Sequence, residues 1–494
     1  MYLWIVIVGG LGCVYNSWGI GANDCANSFA TSVGAKVLTL KQAIIVASLF
    51  EFLGAFLMGS HVTSAIRKKI VNLDLYENDP AVLMMGMLCA NISAGIWLHI
   101  ATYFKLPVST THSIIGSILG FSLAYGGKDS VKWDGVWKII LSWIISPLLS
   151  GVFALIFYLS MKKYVLNSSK PVDRTLMLFP ILTLFTFVIN TFFIFYKGTP
   201  QLDLDELPPG EIAAYVITTS IFASSIAGFI YLPYARKKIK GEDYSNMLVV
   251  RCGNYILTKY NKLTKKKENY TVNTLSRTVS YKEATNTDNM SIDEQIIETK
   301  QKVKDLEFKK KAQHIELLHQ NANVVDPNVE KLCSSLQVIT ACFSSFAHGA
   351  NDVANSIAPF ATIYAIYLTH EVNKKNNVPI WILFMGGFGI VVGLSTWGYK
   401  IIDRIGKELT KITASRGFLI ELSAALTVLI ASRAEMPVST THCQIGAVFG
   451  CGLGDGKKNL QWNLFRNIIL SWLVTLPAAG FICAGLFSFA IYSP

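Results

Sequence analysis

Hydrophobic positions in this chain gather into two sets of runs. The first lies at 3–15, 43–59, 82–104, 114–125, 136–159, 176–196 and 212–232, the second at 336–346, 380–397, 418–431, 445–454 and 468–492. Runs of this kind predict membrane-spanning helices, because about 20 apolar residues cross the hydrocarbon layer. Several are too short, or too interrupted by Gly, Asn, Asp and Ser, to cross as continuous helices. Irregular backbone at membrane depth is tolerated only where protein or a polar cavity covers it, so the interruptions mark the candidate functional core. The expected fold is an all-α polytopic membrane protein with about 12 transmembrane segments.

The interruptions recur. GANDCANS at 21–28 returns as GANDVANS at 349–356, and PVSTTH at 107–112 returns unchanged at 437–442. Each PVSTTH is followed by an Ile-Gly pair, Ile115-Gly116 and Ile445-Gly446. Two motifs duplicated in the same order identify an internal repeat, and broken apolar segments at matching places in two halves point to a transporter site near the bilayer midplane. An odd number of spans per half makes the repeats inverted, with broken or re-entrant helices at the midplane. The expected organisation is a first transmembrane repeat at 1–160, additional transmembrane helices at 161–235, a basic cytoplasmic loop at 236–331 and a second repeat at 332–494.

Composition supports this class. Of 494 residues 52% are hydrophobic and only 15% charged, which excludes a disordered chain and argues against an ordinary soluble enzyme. The net charge of +12 invites a nucleic-acid reading, but in a membrane chain excess Lys and Arg reports the cytoplasmic loops, and no nucleic-acid partner is expected. Arg236, Lys237, Lys238 and Lys240 beside the last run of the first set, with clusters at Lys265–Lys267 and Lys309–Lys311, place the insert in the cytoplasm. The nine cysteines include no CxxC pair and read as small core residues. The opening MYLWIVIVGGLG has no basic n-region and reads as a retained first span.

Both motifs carry chemistry. In PVSTTH, Pro107 starts a new segment cheaply and Ser109 or Thr110 can cap the helix that follows. A helix N-terminus inside the membrane offers unpaired N–H groups, a positive dipole end and the hydroxyls of Ser109, Thr110 and Thr111, a donor set suited to an oxyanion such as phosphate or sulfate. Ser439, Thr440 and Thr441 repeat it. In GANDxANS, a helix beginning after Gly21 would bring Asn23, Asp24, Asn27 and Ser28 along one edge, where oxygen ligands suit a hard cation; Asn351, Asp352 and Asn355 form the second set. A bare carboxylate at this depth is costly and repels an anion bound nearby, and a cation relieves both, so anion and cation should bind cooperatively. A single Asn, Ser or Thr in a membrane helix is most often interhelical glue; ordered duplication with Asp in both copies favours the substrate reading.

Glu51 and Glu421 are intramembrane carboxylates at unmatched positions, open as cation ligands or relays or as protonated hydrogen-bonders. Glu421 falls roughly where the first half has Asn91. His112 and His442, on the helix face of Ser109 and Ser439, fit a role in orienting the site. His348 precedes the second GAND where the first has Ile20, so its role cannot be symmetric. An intramembrane Ser-His-Asp hydrolase fits poorly, with the serine at a helix start and the carboxylate in another block.

These blocks resemble the signatures of the inorganic phosphate transporter (PiT) family: GANDCANSFATSVG at 21–34, AHGANDVANSIAPF at 347–360, PVSTTHSIIG from Pro107 and PVSTTHCQIG from Pro437. The resemblance covers both halves and leaves the insert outside. It implies secondary transport of inorganic phosphate, driven by sodium in eukaryotic members, on an inverted-repeat helical fold with a large intracellular loop, in the plasma membrane and as homodimers in some members. Carried over, phosphate falls on Asn27, Ser109, Thr110, Thr111, Asn355, Ser439, Thr440 and Thr441. Sodium falls on Asn23, Asp24, Asn351 and Asp352, and Glu51 and Glu421 occupy places where family members carry acidic residues; with His348, His112 and His442, read from the residues themselves, they are the candidates for transport coupling. No cofactor is implied beyond sodium as the coupling ion, and the partners are phosphate, sodium and membrane lipid. Proton-coupled and sulfate-carrying relatives, and a non-transporting phosphate sensor, remain as alternatives.

Overall fold

The structure is a computed structural model that describes residues 2–59, 70–197, 207–243 and 322–493, apart from 373–377 and 434–437, with isolated residues between 245 and 320. Pro437 and Lys265–Lys267 lie outside the described residues. Two units separate by their contacts, one of 1–224 with 321–494 and one of 225–320. The smaller unit contains a helical turn at Ala227–Tyr231 and the basic helix Leu232–Lys240.

The larger unit begins with α1 (Leu3–Asn23) and α2 (Ala26–Gly34), separated by a turn at Asp24 and Cys25. α3 (Leu40–Met58) starts on a capping box between Thr39 and Gln42, and α4 (Pro80–Tyr103) starts on a proline. Next come α5 (Thr110–Gly126), α6 (Trp133–Met161), α7 (Pro171–Lys197) and α8 (Pro209–Ile226). After the insert, α9 (Pro327–Asp352) is capped by the Asp326 side chain and followed by α10 (Ala354–Thr369). α11 (Ile380–Trp397), α12 (Ala414–Arg433), α13 (Thr440–Asp455) and α14 (Trp462–Tyr492) complete the unit. Among the described residues the regular secondary structure is helical, with one isolated bridge between Val71 and Val131, and nine helical segments among them are long and apolar enough to cross a membrane.

Burial separates core from periphery. α4 and α12 are largely enclosed, whereas α6 shows an apolar stripe of Trp137, Leu141, Ile144, Leu148, Val152 and Ile156 and α14 exposes Leu470, Leu473, Val474 and Phe481. Such faces suit lipid as solvent.

Helices from the two halves interleave: α1 packs on α11 and α9 on α3, while α5 packs on α14 and α13 on α6. Glycine makes these crossings close. A Cβ at Gly21 would lie 1.9 Å from the Ile390 carbonyl oxygen, and one at Gly349 would lie 2.1 Å from that of Glu51. Gly120 approaches the Gly480 carbonyl and Gly450 that of Gly151 in the same way. Small residues allow backbone contact of this kind between membrane helices. Gly349→Ala should force α9 from α3 at an overpacking cost of about 1–3 kcal/mol, lowering the thermal midpoint of the purified protein in detergent. An unchanged midpoint would mean that this crossing is not a tight one.

Candidate functional site

The turns after α1 and α9 set the site. A continuous helix through the first GANDxANS motif is the sequence expectation, but α1 ends at Asn23 and α2 restarts at Ala26, with the Asn27 N–H donating to the Asp24 carbonyl at 2.9 Å. The second copy breaks at Val353. Asn23 and Asn27 therefore do not share one regular helix edge, and the break turns the carboxylates toward the starts of α5 and α13. There Ser109 and Ser439 are the helix caps, their hydroxyl oxygens accepting the His112 and His442 N–H groups at 3.2 and 3.3 Å. The threonines of each motif open the helix, beside first-turn N–H groups that have no intrahelical partner.

Asp24 Oδ2 accepts from Thr110 Oγ1 at 2.9 Å, and its Oδ1 accepts from Asn27 Nδ2 at 2.8 Å and from the Thr441 hydroxyl. Asp352 Oδ2 accepts from Thr440 Oγ1 at 3.0 Å, and its Oδ1 faces the Asn355 and Asn351 amides at 3.3 and 3.2 Å. The asparagines cross between halves. Asn27 Nδ2 lies 3.0 Å from Thr441 Oγ1, while Asn355 Nδ2 lies 3.1 Å from Thr110 Oγ1 and 3.2 Å from Thr111 Oγ1. Each carboxylate is thus served by a threonine of its own half, and each asparagine reaches threonines of the other. Asn23 stands beside this ring: its amide donates to Thr102 Oγ1 and the Leu106 carbonyl, both at 2.9 Å, and accepts from the Val108 N–H. It holds the segment entering α5.

His348 is the asymmetric centre. Its Nε2 lies 2.6 Å from Asp352 Oδ2 and 3.6 Å from Asp24 Oδ1, and its Nδ1 lies 2.9 Å from Glu51 Oε2. One imidazole therefore faces three buried carboxylates. Glu51 also accepts from Ser345 Oγ at 2.9 Å. Glu421 lies apart from this group, accepting from the hydroxyls of Thr31 on α2 and Thr340 on α9. Asn91 does the corresponding work in the first half: its Oδ1 accepts from Asn16 of α1 at 2.9 Å, and its Nδ2 donates to the Ser356 carbonyl of α10 at 3.0 Å. Glu421 and Asn91 each tie the first helix of their own half to the short helix of the other.

Behind the threonines, the rings of His112 and His442 meet nearly edge to face with centroids 4.7 Å apart. His112 packs on Trp143 and His442 stacks on Trp472 at 3.9 Å. This block locks the two helix starts together. An open pocket reaches Asn27, His348 and Thr440 between α7, with Asn190 and Phe193, and α12, with Ala424 and Val428.

The sequence motifs point to most of this ring. Asn16, Thr102, Thr31 and Thr340 have no signal of their own, since nothing in their spacing says which helix they will face.

Two kinds of comparison bear on this site. The phosphate transporter family model matches residues 20–483. The chain is 30% identical to sodium-dependent phosphate transporter 1 of Rattus norvegicus, over 98% of this chain and 95% of that protein. It is 32% identical to sodium-dependent phosphate transporter 2 of Xenopus laevis, over 99% and 98%. A solved structure described as the sodium-dependent phosphate transporter superposes with a TM-score of 0.74 at 29% identity, covering 100% of both chains. The matched span contains both copies of each motif, and the chain belongs to the phosphate transporter family, whose members are transporters and not enzymes.

Proposed function

We propose that this protein imports inorganic phosphate by sodium symport through alternating access. The observation that carries this reading is the crossed ring of Asp24, Asp352, Asn27 and Asn355 with Thr110, Thr111, Thr440 and Thr441. With the carboxylates bare, the threonine hydroxyls donate to them. Sodium ions at Asp24 and Asp352, flanked by Asn23 and Asn351, take over those oxygens and release the hydroxyls. These then donate to a tetrahedral anion held between the starts of α5 and α13, together with Asn27, Asn355, Ser109 and Ser439. Cation binding thus builds the anion site, and the coupling is reciprocal.

The two halves are inverted repeats: α1 to α6 and α9 to α14 follow the same order of broken helix, long helices and cap-started helix, each half crossing an odd number of times. With the other helices they make about 12 membrane segments, the insert on the cytoplasmic side and the protein in the plasma membrane, where it pairs as a homodimer. Rocking of one half against the other exposes the ring alternately to each side. Glu51, Glu421, His348, His112 and His442 couple ring occupancy to that motion. Two sodium ions with monovalent phosphate carry one net charge. A potential of 100 mV then contributes about 2.3 kcal/mol, and a tenfold sodium gradient adds about 1.4 kcal/mol per ion.

Radiolabelled phosphate uptake into proteoliposomes of the purified protein tests this, with inward gradients of sodium, choline or protons and sulfate as competitor. Sodium-dependent uptake above choline and insensitive to sulfate is the expected result. Uptake driven only by protons would reassign the cation, and phosphate binding without uptake would make the protein a sensor.

A further inference from the structure

Three departures from the internal repeat meet at one place. Cys25 stands where the second motif has Val353, and His348 where the first has Ile20. Glu51 faces Gly349 at a crossing whose counterpart sets Ile390 against Gly21. Cys25 Sγ lies 3.5 Å from His348 Nδ1, which lies 2.9 Å from Glu51 Oε2. One ligand atom from each of the three lies within 4.8 Å of the other two, and all three side chains are buried. The symport scheme gives the Cys25 thiol no part.

We propose that Cys25, His348 and Glu51 form a binding site for one borderline divalent cation of the zinc class, and that filling it inhibits transport. Thiolate, imidazole and carboxylate are the ligand types such a cation takes, whereas sodium, magnesium and calcium are held by oxygen alone. A tetrahedral centre with bonds of about 2.0–2.3 Å has ligand-to-ligand edges of about 3.3–3.6 Å. The sulfur-to-nitrogen edge already has that length, and the nitrogen-to-oxygen edge reaches it by a small rotation of Glu51. The fourth position falls to water. The cavity that reaches His348 past Ser344 and Ala347 is the way in. On binding, the metal–sulfur bond forms as the thiol proton leaves to solvent, and the proton held between His348 Nδ1 and Glu51 Oε2 leaves with it, which frees both atoms to ligate. A divalent charge beside Asp24 and Asp352 then opposes sodium at those carboxylates. This inhibitory consequence rests on the proposed symport, whereas the metal site itself does not.

The full-length protein, purified in detergent without phosphate, is titrated with Cd2+ while the ultraviolet thiolate-to-cadmium charge-transfer band is followed, and Zn2+ is then added as competitor. One equivalent of Cd2+ should raise the band and Zn2+ should displace it. Cys25→Val, which installs the residue of the second motif, should abolish the band. It should weaken Zn2+ binding by more than the roughly 10- to 100-fold that loss of an outer ligand partner costs. Its sodium-driven uptake without Zn2+ should match the unsubstituted protein and resist Zn2+. No band in the unsubstituted protein, or an undiminished band in Cys25→Val, would overturn the proposal. If the unsubstituted protein takes up no phosphate, the symport reading fails while the cadmium band still reports on the metal site.

Discussion

Asp24→Asn is expected to cut sodium-driven phosphate uptake by about 100-fold, and Asp352→Asn to do the same. The change keeps the shape of the side chain but turns one acceptor oxygen into a donor. At position 24 both oxygens are engaged, by Thr110 on one side and by Asn27 and Thr441 on the other, so the new amide either sets its NH2 against that of Asn27 or turns it to Thr110 and reverses that bond. Loss of the charge also removes the cation's strongest ligand. Breaking a buried hydrogen-bonded charge pair costs about 2–5 kcal/mol, and about 2.8 kcal/mol is a factor of 100. The sodium concentration for half-maximal uptake should rise, while discrimination between phosphate and sulfate stays, because the threonine hydroxyls and helix starts are intact. Sodium activation curves that match the unsubstituted protein in both variants would remove these carboxylates from the cation site.

His348→Ile, which copies Ile20 from the first half, is expected to be as severe and to show in stability as well as uptake. The imidazole lies against Asp352, Asp24 and Glu51. Without it, Glu51 loses its imidazole partner and the three buried carboxylates lose the one side chain that lies between them, and leaving a buried polar group unpartnered costs about 1–3 kcal/mol, more where the group is charged. The thermal midpoint in choline should drop. Sodium should restore more of it than it adds to the unsubstituted protein, because cations then partner the carboxylates that the imidazole no longer covers. His348→Gln, which keeps one donor, should fall between the two. A His348→Ile variant with unaltered uptake and midpoint would make the histidine a bystander.

Much of this site was legible in the sequence because its signals are local. Ser109 and Ser439 behave as caps because hydroxyl, helix start and spacing lie within four residues of one another. The carboxylates were conspicuous because Asp is costly inside an apolar run. The expectation that failed was also local: a polar motif with helical spacing need not sit on one helix, and here the chain turns at Asp24 and Cys25 so that the carboxylate faces hydroxyls from both halves. The placing of Glu421 opposite Asn91 follows from counting back from each PVSTTH, and both residues do the same tying work with different chemistry.

From its amino-acid order alone, this protein is a helical membrane chain of two related halves with an anion-suited helix start and a carboxylate in each. Apolar run length, capping chemistry and motif repetition act over a few residues and need no partner. Only the tertiary structure decided that Thr441 serves Asp24, that Asn355 reaches Thr110 and Thr111, and that His348 joins three carboxylates beside Cys25. Those pairings depend on helices of one half crossing helices of the other at glycine contacts, and no spacing along the chain encodes which crossing will form.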